Sequence, residues 1–566
     1  MATTEVQEYR DRLKELQEER EQSLNALCLD VSEYICPSRG RFEGDDRSPD
    51  RMHAYRGSKI IDSTPQDAHN TATNGMHSGL TPSSSPWLKL EFEDDQLMKY
   101  GPAKDWLDTL TKRVYSVLRR SNFYSSIRSV YAEIIAFANA CMFFQEDMKT
   151  GMRFRPMTFG EWWCACDYTG RVDTIYRSTW MPIRQIEQKW GSGKMSESLV
   201  PMLETSPLKA VEVIHAVQPR SNYDPRKKDK LNKPWESCYF EASGDDDKIL
   251  GKGGFETFPY VVGRWDVIGN DSYGTDSPGI QKLPDAKELQ DCRKTLIIAQ
   301  HKEADPPVMA PQSMAGTVIR SHAGGITWYD SSNPEGLKRL YEQKFDFSGA
   351  LQNVQDIRER IRHGFFSDIF MMIQALESQR GGVTATQIME MKAEKLEQLG
   401  PFVQRAEDEI LDPIIEATVA SIMNNPEQFS MPQPPEEISG TSYRIEYIGI
   451  LAQAQKQIGK TAIDDMTSYV MNIAQADPTA WDVFDKDEAI RARGEMVGLP
   501  PKIIRSQDQI VEIRKAREEQ QAQQKAAIEA EQVLGGAKSL ADTKLNKDDP
   551  SALTEILKGL GAESMQ

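Results

Sequence analysis

The stretch RIRHGFFSDIFMMIQALESQRGGVTATQIMEMKAEKLEQLGPFVQRAEDEILDPII, Arg360 to Ile415, decides how the rest of the chain is read. With Leu351, Val354 and Ile357 just upstream, its first half carries an apolar stripe through Ile361, Phe365, Ile369, Ile373 and Leu376. That three- and four-residue spacing is one face of a single long helix. Ser378, Gln379, Arg380, Gly381 and Gly382 interrupt the stripe, and two glycines destabilise a continuous helix by roughly 1 kcal/mol each. Thr384 with Gln387 then has the form of a capping box and predicts a second helix running through Leu396, Leu399 and Val403 toward Ile410. The pattern is a long helix, a polar break with one positive charge, and a returning helix.

Working outward, Asp285 and Glu288 fit another capping box just after Pro284, opening a helix through Leu289, Cys292, Leu296 and Ala299 that Asp305-Pro306-Pro307 ends. Between Cys141 and Trp265 the pattern changes to short β-like runs, VDTIYRSTW, KAVEVIHAV and ESCYFEA, separated by turn residues. Before them lie two helices, one with Trp106, Leu110, Val114 and Leu118, the next with Ile127, Val130, Tyr131, Ile134 and Ala138. A short helix from Thr64 to Leu80 sits in loop-rich sequence, and a helix from Val6 to Tyr34 opens the chain until Pro37 stops it. The expected class is α+β, mainly helical. The tail from about Ile510, IVEIRKAREEQQAQQKAAIEAEQ, is helix-prone but poor in apolar residues.

At 566 residues the chain exceeds one hydrophobic core, so several domains are expected. No run approaches the roughly 18 apolar residues of a membrane span, and MATTEVQEYRDRLKEL lacks a signal-peptide core, which predicts a protein made in a cytoplasm with no membrane partner. Seven cysteines, an odd number spread over a long chain, predict reduced thiols. The net charge of −18 is the reverse of what a sequence-specific DNA binder carries. A DNA conduit is compatible with it, because a channel that gripped phosphates would stall translocation.

Signals for chemistry are weak. Gly251-Lys252-Gly253-Gly254 lacks the remaining residues of a phosphate loop and reads as a turn. Cys164 and Cys166 have no second pair for zinc and read as alternate positions of a core strand. Asp245, Asp246 and Asp247 read as a solvated hairpin turn, and His69 and His77 as packing or surface residues sharing a helix face. No Gly-x-Ser-x-Gly elbow, His-Glu-x-x-His pair or full Walker motif occurs. Neither a catalytic residue, a metal site nor a cofactor is expected.

DSTPQDAHNTATNGMHSGLTPSSSPWLKLE, Asp62 to Glu91, resembles the podovirus-type bacteriophage portal, or head-to-tail connecting, protein family, in which a Thr-Pro helix leads to a Leu-Thr-x-x-Ser-x-x-Trp loop. SNFY (Ser121 to Tyr124), RWDVIGNDSYGTDSPG (Arg264 to Gly279), LPDAKELQ (Leu283 to Gln290) and KEADPPVM (Lys302 to Met309) agree in the same order. Arg360 to Ile415 is the strongest match, with Gln387 standing where the family commonly has Glu. The resemblance runs from about Leu24 to Leu451.

What this resemblance implies is a non-enzymatic subunit of a homo-oligomeric ring, typically a dodecamer, at a capsid vertex, assembled in the host cytoplasm. Double-stranded DNA would pass through its channel during viral genome packaging and ejection. The partners implied are the terminase, the major capsid and scaffolding proteins, a tail adaptor and internal ejection proteins. The implied regions are a wing over 1–180, a β-rich clip with adjoining stem over 181–280, a stem helix over 281–304, and a wing return with channel loop over 305–410. A helical crown over 411–506 and a tail or barrel over 507–566 complete them. Ser378, Gln379, Arg380, Gly381, Gly382 and Thr384 would form the DNA-channel loop. The competing reading is a helical scaffold or adaptor of a virion that never meets DNA, and the matches at Asp62 to Glu91 and Arg360 to Ile415 argue against it.

With so few apolar residues, a peptide spanning 507–532 is expected to exchange its amide hydrogens at nearly the unstructured rate when isolated. Strong protection in that peptide alone would contradict a helix that needs partners.

Overall fold

The computed structural model describes residues 5–42, 56–94, 97, 100–227, 229–243, 248–304, 308–309, 338–339, 346–371, 393–438, 441–449, 458–474, 483–496, 510–511 and 513–525. Helices α1 (Glu5–Arg20) and α2 (Ala26–Tyr34) are joined by a π turn, Glu21–Asn25. The spacing predicts one uninterrupted helix; the turn's extra residue instead moves the buried stripe from Val6, Tyr9, Leu13 and Leu16 to Leu24, Cys28 and Val31. Then come α3 (Thr64–Leu80, Pro65 in its first turn), β1 (Leu88–Phe92), α4 (Gly101–Arg120) and α5 (Phe123–Phe137). The expected bounds of α3 hold. In α4 the buried face is Leu107, Leu110, Val114, Val117 and Leu118; Trp106 sits at its edge and donates Nε1–H to Pro432 O at 3.0 Å.

The β-rich stretch forms two antiparallel sheets. One has the order β3-β2-β9, with β2 (Asn139–Asp147), β3 (Gly151–Met157) and β9 (Tyr260–Arg264). The other is a meander of β4 (Trp162–Cys166), β5 (Val172–Pro182), β6 (Ala210–Pro219), β7 (Trp235–Glu241) and β8 (Ile249–Phe255). Gly251 to Gly254 therefore lie in a strand and not in a turn. Glycine is needed there for packing: a Cβ on Gly251 would stand 2.5 Å from Trp190 Nε1, and one on Gly254 2.7 Å from the carbonyls of Lys230 and Trp235. A short helix α6 (Ile183–Trp190) connects β5 to β6.

One face of the five-stranded sheet, with Trp163, Tyr176, Ile214, Ala216, Cys238 and Phe240, buries the stripe of α1. Each such side chain removed from water contributes roughly 2 kcal/mol. The other face packs Val213 and Leu250 on Ile183, Ile186, Met195 and Leu199. Cys164 is buried in β4, Cys166 half-buried past a bulge, and both are free thiols, as are the other five cysteines.

Helix α7 (Leu283–Ala304) begins two residues before the capping box predicts. Pro284 suits a first turn, so Asp285 lies inside the helix and pairs with Lys282 at 3.2 Å. After the small ladder β10 (Val308–Met309) with β11 (Lys338–Arg339) comes α8 (Phe347–Gly364), capped by Asp346, which accepts from the amides of Ser348 and Gly349. The stripe from Leu351 to Leu376 is not one helix: α8 ends at Gly364, and Phe366 takes a left-handed φ of 54° before a short helical turn resumes. Gly364 lies against the Lys282 side chain, where a Cβ would come within 2.0 Å of Cε.

Next are α9 (Ala393–Ala406), a π turn Glu407–Leu411, α10 (Asp412–Asn424), β12 (Tyr443–Tyr447), α11 (Ile458–Ala474) and α12 (Lys486–Met496). β12 pairs with β1 in antiparallel register from Leu88↔Tyr447 to Phe92↔Tyr443. Trp87 stacks on Phe123 and Tyr447 beside this ladder, with centroids at 6.0 and 6.3 Å.

The chain divides into two units, Met1–Glu93 with Asp105–Tyr469, and Asp94–Lys104 with Val470–Gln566. Within the second, Asp487 of α12 pairs with Arg514 at 2.7 Å. Residues 513–525 are helical with every side chain exposed, as their composition leads one to expect. No helix among the described residues is long and apolar enough to cross a membrane.

Two histidines are built into the larger unit as neutral groups. His69 of α3 donates from Nε2 to Ala132 O at 2.9 Å, and burial holds its pKa down at about 4. His215 of β6 stacks on Tyr239 with centroids 4.0 Å apart, has Tyr260 Oη at 2.8 Å and Ser237 Oγ at 2.9 Å, and is likewise held well below its ordinary value by burial. An unfolded imidazole takes a proton near pH 6.5 that the folded His69 refuses until about pH 4. This stability is therefore complete above pH 6.5 and declines as pH falls toward 4, by roughly 3 kcal/mol for His69 in full. The urea midpoint at about pH 5 is expected to lie clearly below that at about pH 7.5, and His69→Gln is expected to shrink the difference; equal midpoints would contradict a buried neutral His69.

Candidate functional site

Ser378, Gln379, Arg380, Gly381, Gly382 and Thr384 lie outside the described residues, as do Gln387 and the acidic turn at Asp245 to Asp247. What the structure describes is the framework on either side of that segment. Helix α8 buries Val354, Ile357 and Ile361 and packs against α3 and α7. Phe365, Ile369 and Phe370 continue the buried series past the kink at Phe366. Phe365 meets the His69 ring edge-on at 6.4 Å, and Phe370 lies so close to α3 that a Cβ on Gly75 would fall 2.2 Å from its own. On the return, α9 buries Leu399, Phe402, Val403 and Ala406, and Phe402 stacks on Trp265 at 4.1 Å. Aromatic anchors thus seat both flanks.

The electrostatic centre of this framework is Asp62, 6% exposed at the mouth of α3. Its Oδ1 accepts from the Thr64 amide at 3.0 Å and the Thr64 hydroxyl at 2.6 Å. Its Oδ2 accepts from both arms of Arg358 of α8, at 2.7 and 3.2 Å, and has Arg293 of α7 at 3.6 Å. Gln290 of α7 completes the knot, accepting from the amides of Ile61 and Asp62 and donating to the Asp62 carbonyl. Burial alone would raise the Asp62 pKa; the hydrogen bonds from Thr64 and Arg358 outweigh it and hold the carboxyl below its ordinary value. The Asp-Ser-Thr-Pro run is therefore a helix start whose acid also ties α3 to α7 and α8. Sequence reasoning missed Arg358 and Gln290, because their only signal is a polar residue on an otherwise apolar helix face.

A second knot lies at Arg264, 5% exposed at the end of β9. Its guanidinium grips Glu409 of the π turn, with Nη2 to Oε1 at 2.7 Å and Nε to Oε1 at 3.1 Å, while its own amide donates to Oε2 at 2.9 Å. The remaining N–H groups donate to the carbonyls of Asp271 and Gly170, both at 3.0 Å, and to Cys166 Sγ at 3.6 Å. Three chain segments thus converge on one side chain.

His69 and His77 share helix α3 but do not converge: His69 is in the core, and His77 meets the Tyr124 ring edge-on. Among the described residues no cluster of three or more metal-ligating side chains occurs. Ser237 Oγ and His215 Nε2 are in contact at 2.9 Å, but both are buried in the five-stranded sheet, away from solvent.

Removing one partner of a buried ion pair leaves an uncompensated charge, at a cost of about 3 kcal/mol or more. Glu409→Gln and Arg358→Ala are each expected to lower the thermal midpoint by several degrees, while Arg360→Ala, whose partners Asp285 and Glu288 are solvent-exposed or half-buried, changes it little. Differential scanning fluorimetry checks this; an Arg360→Ala loss as large as that of Arg358→Ala would contradict the ranking.

Comparison with known proteins matches the framework throughout its length. The model of the family described as bacteriophage head to tail connecting protein fits residues 6–504. The portal protein of Salmonella phage epsilon15 is 37% identical over 564 residues, 99% of this chain and 100% of that protein. The probable portal protein of Bordetella phage BPP-1 is 32% identical over 532 residues, 94% of each chain. The likeness to the first includes the tail beyond Pro500, where sequence reasoning finds no pattern. A chain matched from end to end in this way belongs to the bacteriophage head to tail connecting protein family, as a portal-type, structural component and not an enzyme.

Proposed function

We propose that copies of this chain close into a ring, typically of twelve, at one capsid vertex, through which double-stranded DNA is packaged and later ejected. The observation that carries the reading is the full-length likeness to the epsilon15 portal protein. In it, residues 1–180 serve as wing, 181–280 as β-rich clip with adjoining stem, 281–304 as stem helix and 305–410 as wing return with the channel loop. Residues 411–506 form the crown and 507–566 the tail or barrel. The terminase docks on the assembled ring in the host cytoplasm and is later replaced by the tail adaptor; capsid, scaffolding and internal ejection proteins are the other partners. The two buried knots support this reading, since a conduit under load needs a stiff frame around the segment that meets the cargo.

Ser378 to Thr384 faces the channel in this reading. Arg380 is the one charge among those residues, and ring symmetry repeats it into a positive band inside an acidic particle. Phosphate contacts from such a band position the duplex without reading sequence and weaken with salt, which permits sliding. Native mass spectrometry of the purified chain is expected to give a closed assembly near twelve copies. Deleting Gln379 to Gly382, or Arg380→Glu, is expected to leave that assembly intact while impairing packaging or retention of DNA. A deletion variant that packages and holds full-length DNA as well as wild type would remove the loop from the mechanism.

A further inference from the structure

Exposed cations stand beside the five-stranded sheet on the side turned away from α1. Trp162, Arg177, His215, Tyr239 and Gly251 stand opposite one another across β4 to β8. They lie on the face turned away from α1, because their neighbours Trp163, Tyr176, Ala216 and Cys238 pack against that helix. Over Gly251 lies the Trp190 indole, and Lys189 places its Nζ 4.3 Å from the centroids of both Trp190 and Tyr239. Burial, then the nearby guanidinium groups of Arg155 and Arg177, push the Lys189 pKa below its ordinary value. Arg177 is answered by the half-buried carboxylate of Glu161 and by the Tyr260 hydroxyl, whereas among the described residues no ion pair holds Arg155 or Lys189. Two exposed cations, Arg155 and Lys189, therefore stand without an ion pair in a chain where acidic residues outnumber basic ones, 86 to 68.

The far side of the same sheet is covered by α1, whose outer surface exposes Glu8, Asp11, Glu15, Glu18 and Glu19 against Arg12 and Lys14. Arg12 and Lys14 are occupied by Glu15 and Glu18, which leaves Glu8 and Asp11 without an ion-pair partner in the described chain.

We propose that Arg155 and Lys189 receive the α1 carboxylates, Glu8 and Asp11 foremost, of a second copy of this chain. The proposal rests on the ring reading and specifies one of its contacts. A contact between opposite faces of one sheet in successive copies joins two different surfaces, which is the kind of contact that closes a ring and not a two-fold dimer. Subunits of net charge −18 repel one another at a distance, so a local patch of the opposite sign is what orients their encounter. The aromatic floor of Trp190 and Tyr239 holds Lys189 in place beforehand, so that little side-chain freedom is lost on contact.

The test uses the full-length chain. Arg155→Glu with Lys189→Glu alters two exposed side chains outside the core, and circular dichroism verifies that the fold is kept. By native mass spectrometry at about 0.15 M salt, where charges further apart than roughly 8 Å are screened, the double variant is expected to shift from ring to monomer. Adding Glu8→Lys and Asp11→Lys to the same chain is expected to restore the ring. In wild-type rings mixed from isotope-labelled and unlabelled chains, carbodiimide is expected to link Lys189 of one copy to α1 of another. A double variant that forms rings as readily as wild type overturns the contact, and so does a loss that the α1 substitutions fail to restore. Intact rings that have lost only their grip on duplex DNA also overturn it and assign the two cations to phosphate. A wild-type chain that stays monomeric overturns the ring reading itself, which is a different result from wild-type rings with an indifferent variant.

Discussion

The grip of Arg264 on Glu409 is the constraint on which the larger unit depends. The guanidinium spends its N–H groups on one carboxylate and on the carbonyls of Asp271 and Gly170. Burial would favour the neutral form of such a cation, and the Glu409 carboxylate more than offsets that, raising its pKa above the ordinary value. Such a pair adds little net stability compared with an apolar replacement, but it is intolerant of misplacement, because any shift leaves a charge buried alone. It therefore fixes where the returning helix sits against the small sheet. The π turn at Glu407–Leu411 is what turns Glu409 toward β9 while Ile410 and Leu411 remain in the core.

Asp62 does the same for the other flank. One carboxylate caps α3 through Thr64 and receives Arg358 from α8, so the start of one helix and the register of another are set by the same two oxygens. Between these two knots the apolar contacts can be generic. Phe365, Phe370 and Phe402 need only be large and buried; the charged groups decide which large residue goes where.

Periodic apolar spacing made most of the helices and the alternation of strands legible in the sequence, and it placed α3 and α5 closely. It failed where one residue changes the helical phase. Nothing in Glu21 to Asn25 distinguishes a π turn from a regular one, because that choice is made by what α1 and α2 bury and not by local preference. Phe366 hides a kink inside an apolar stripe for the same reason: the break is imposed by α3 and Lys282. Gly251 to Gly254 looked like a turn because their use as strand residues depends on Trp190, which is distant in sequence. The Arg264 and Asp62 partners are also far apart in the chain, 145 and 296 positions away, beyond the reach of any local pattern. The family resemblance stood apart from all of this, resting on ordered motifs, two of which turn out to contain Asp62 and Arg264.

The pairing of β1 with β12 sets a clock on synthesis. Glu91 and Arg444, joined by a 2.9 Å ion pair across that ladder, are 353 positions apart. At the roughly 5 to 20 residues per second of a ribosome, β1 waits on the order of 20 to 70 seconds for its only ladder partner among the described residues. During that time Trp87 lacks the Tyr447 ring that covers it in the finished chain. A nascent chain therefore holds an unpaired edge and a partly uncovered aromatic surface until its C-terminal third emerges.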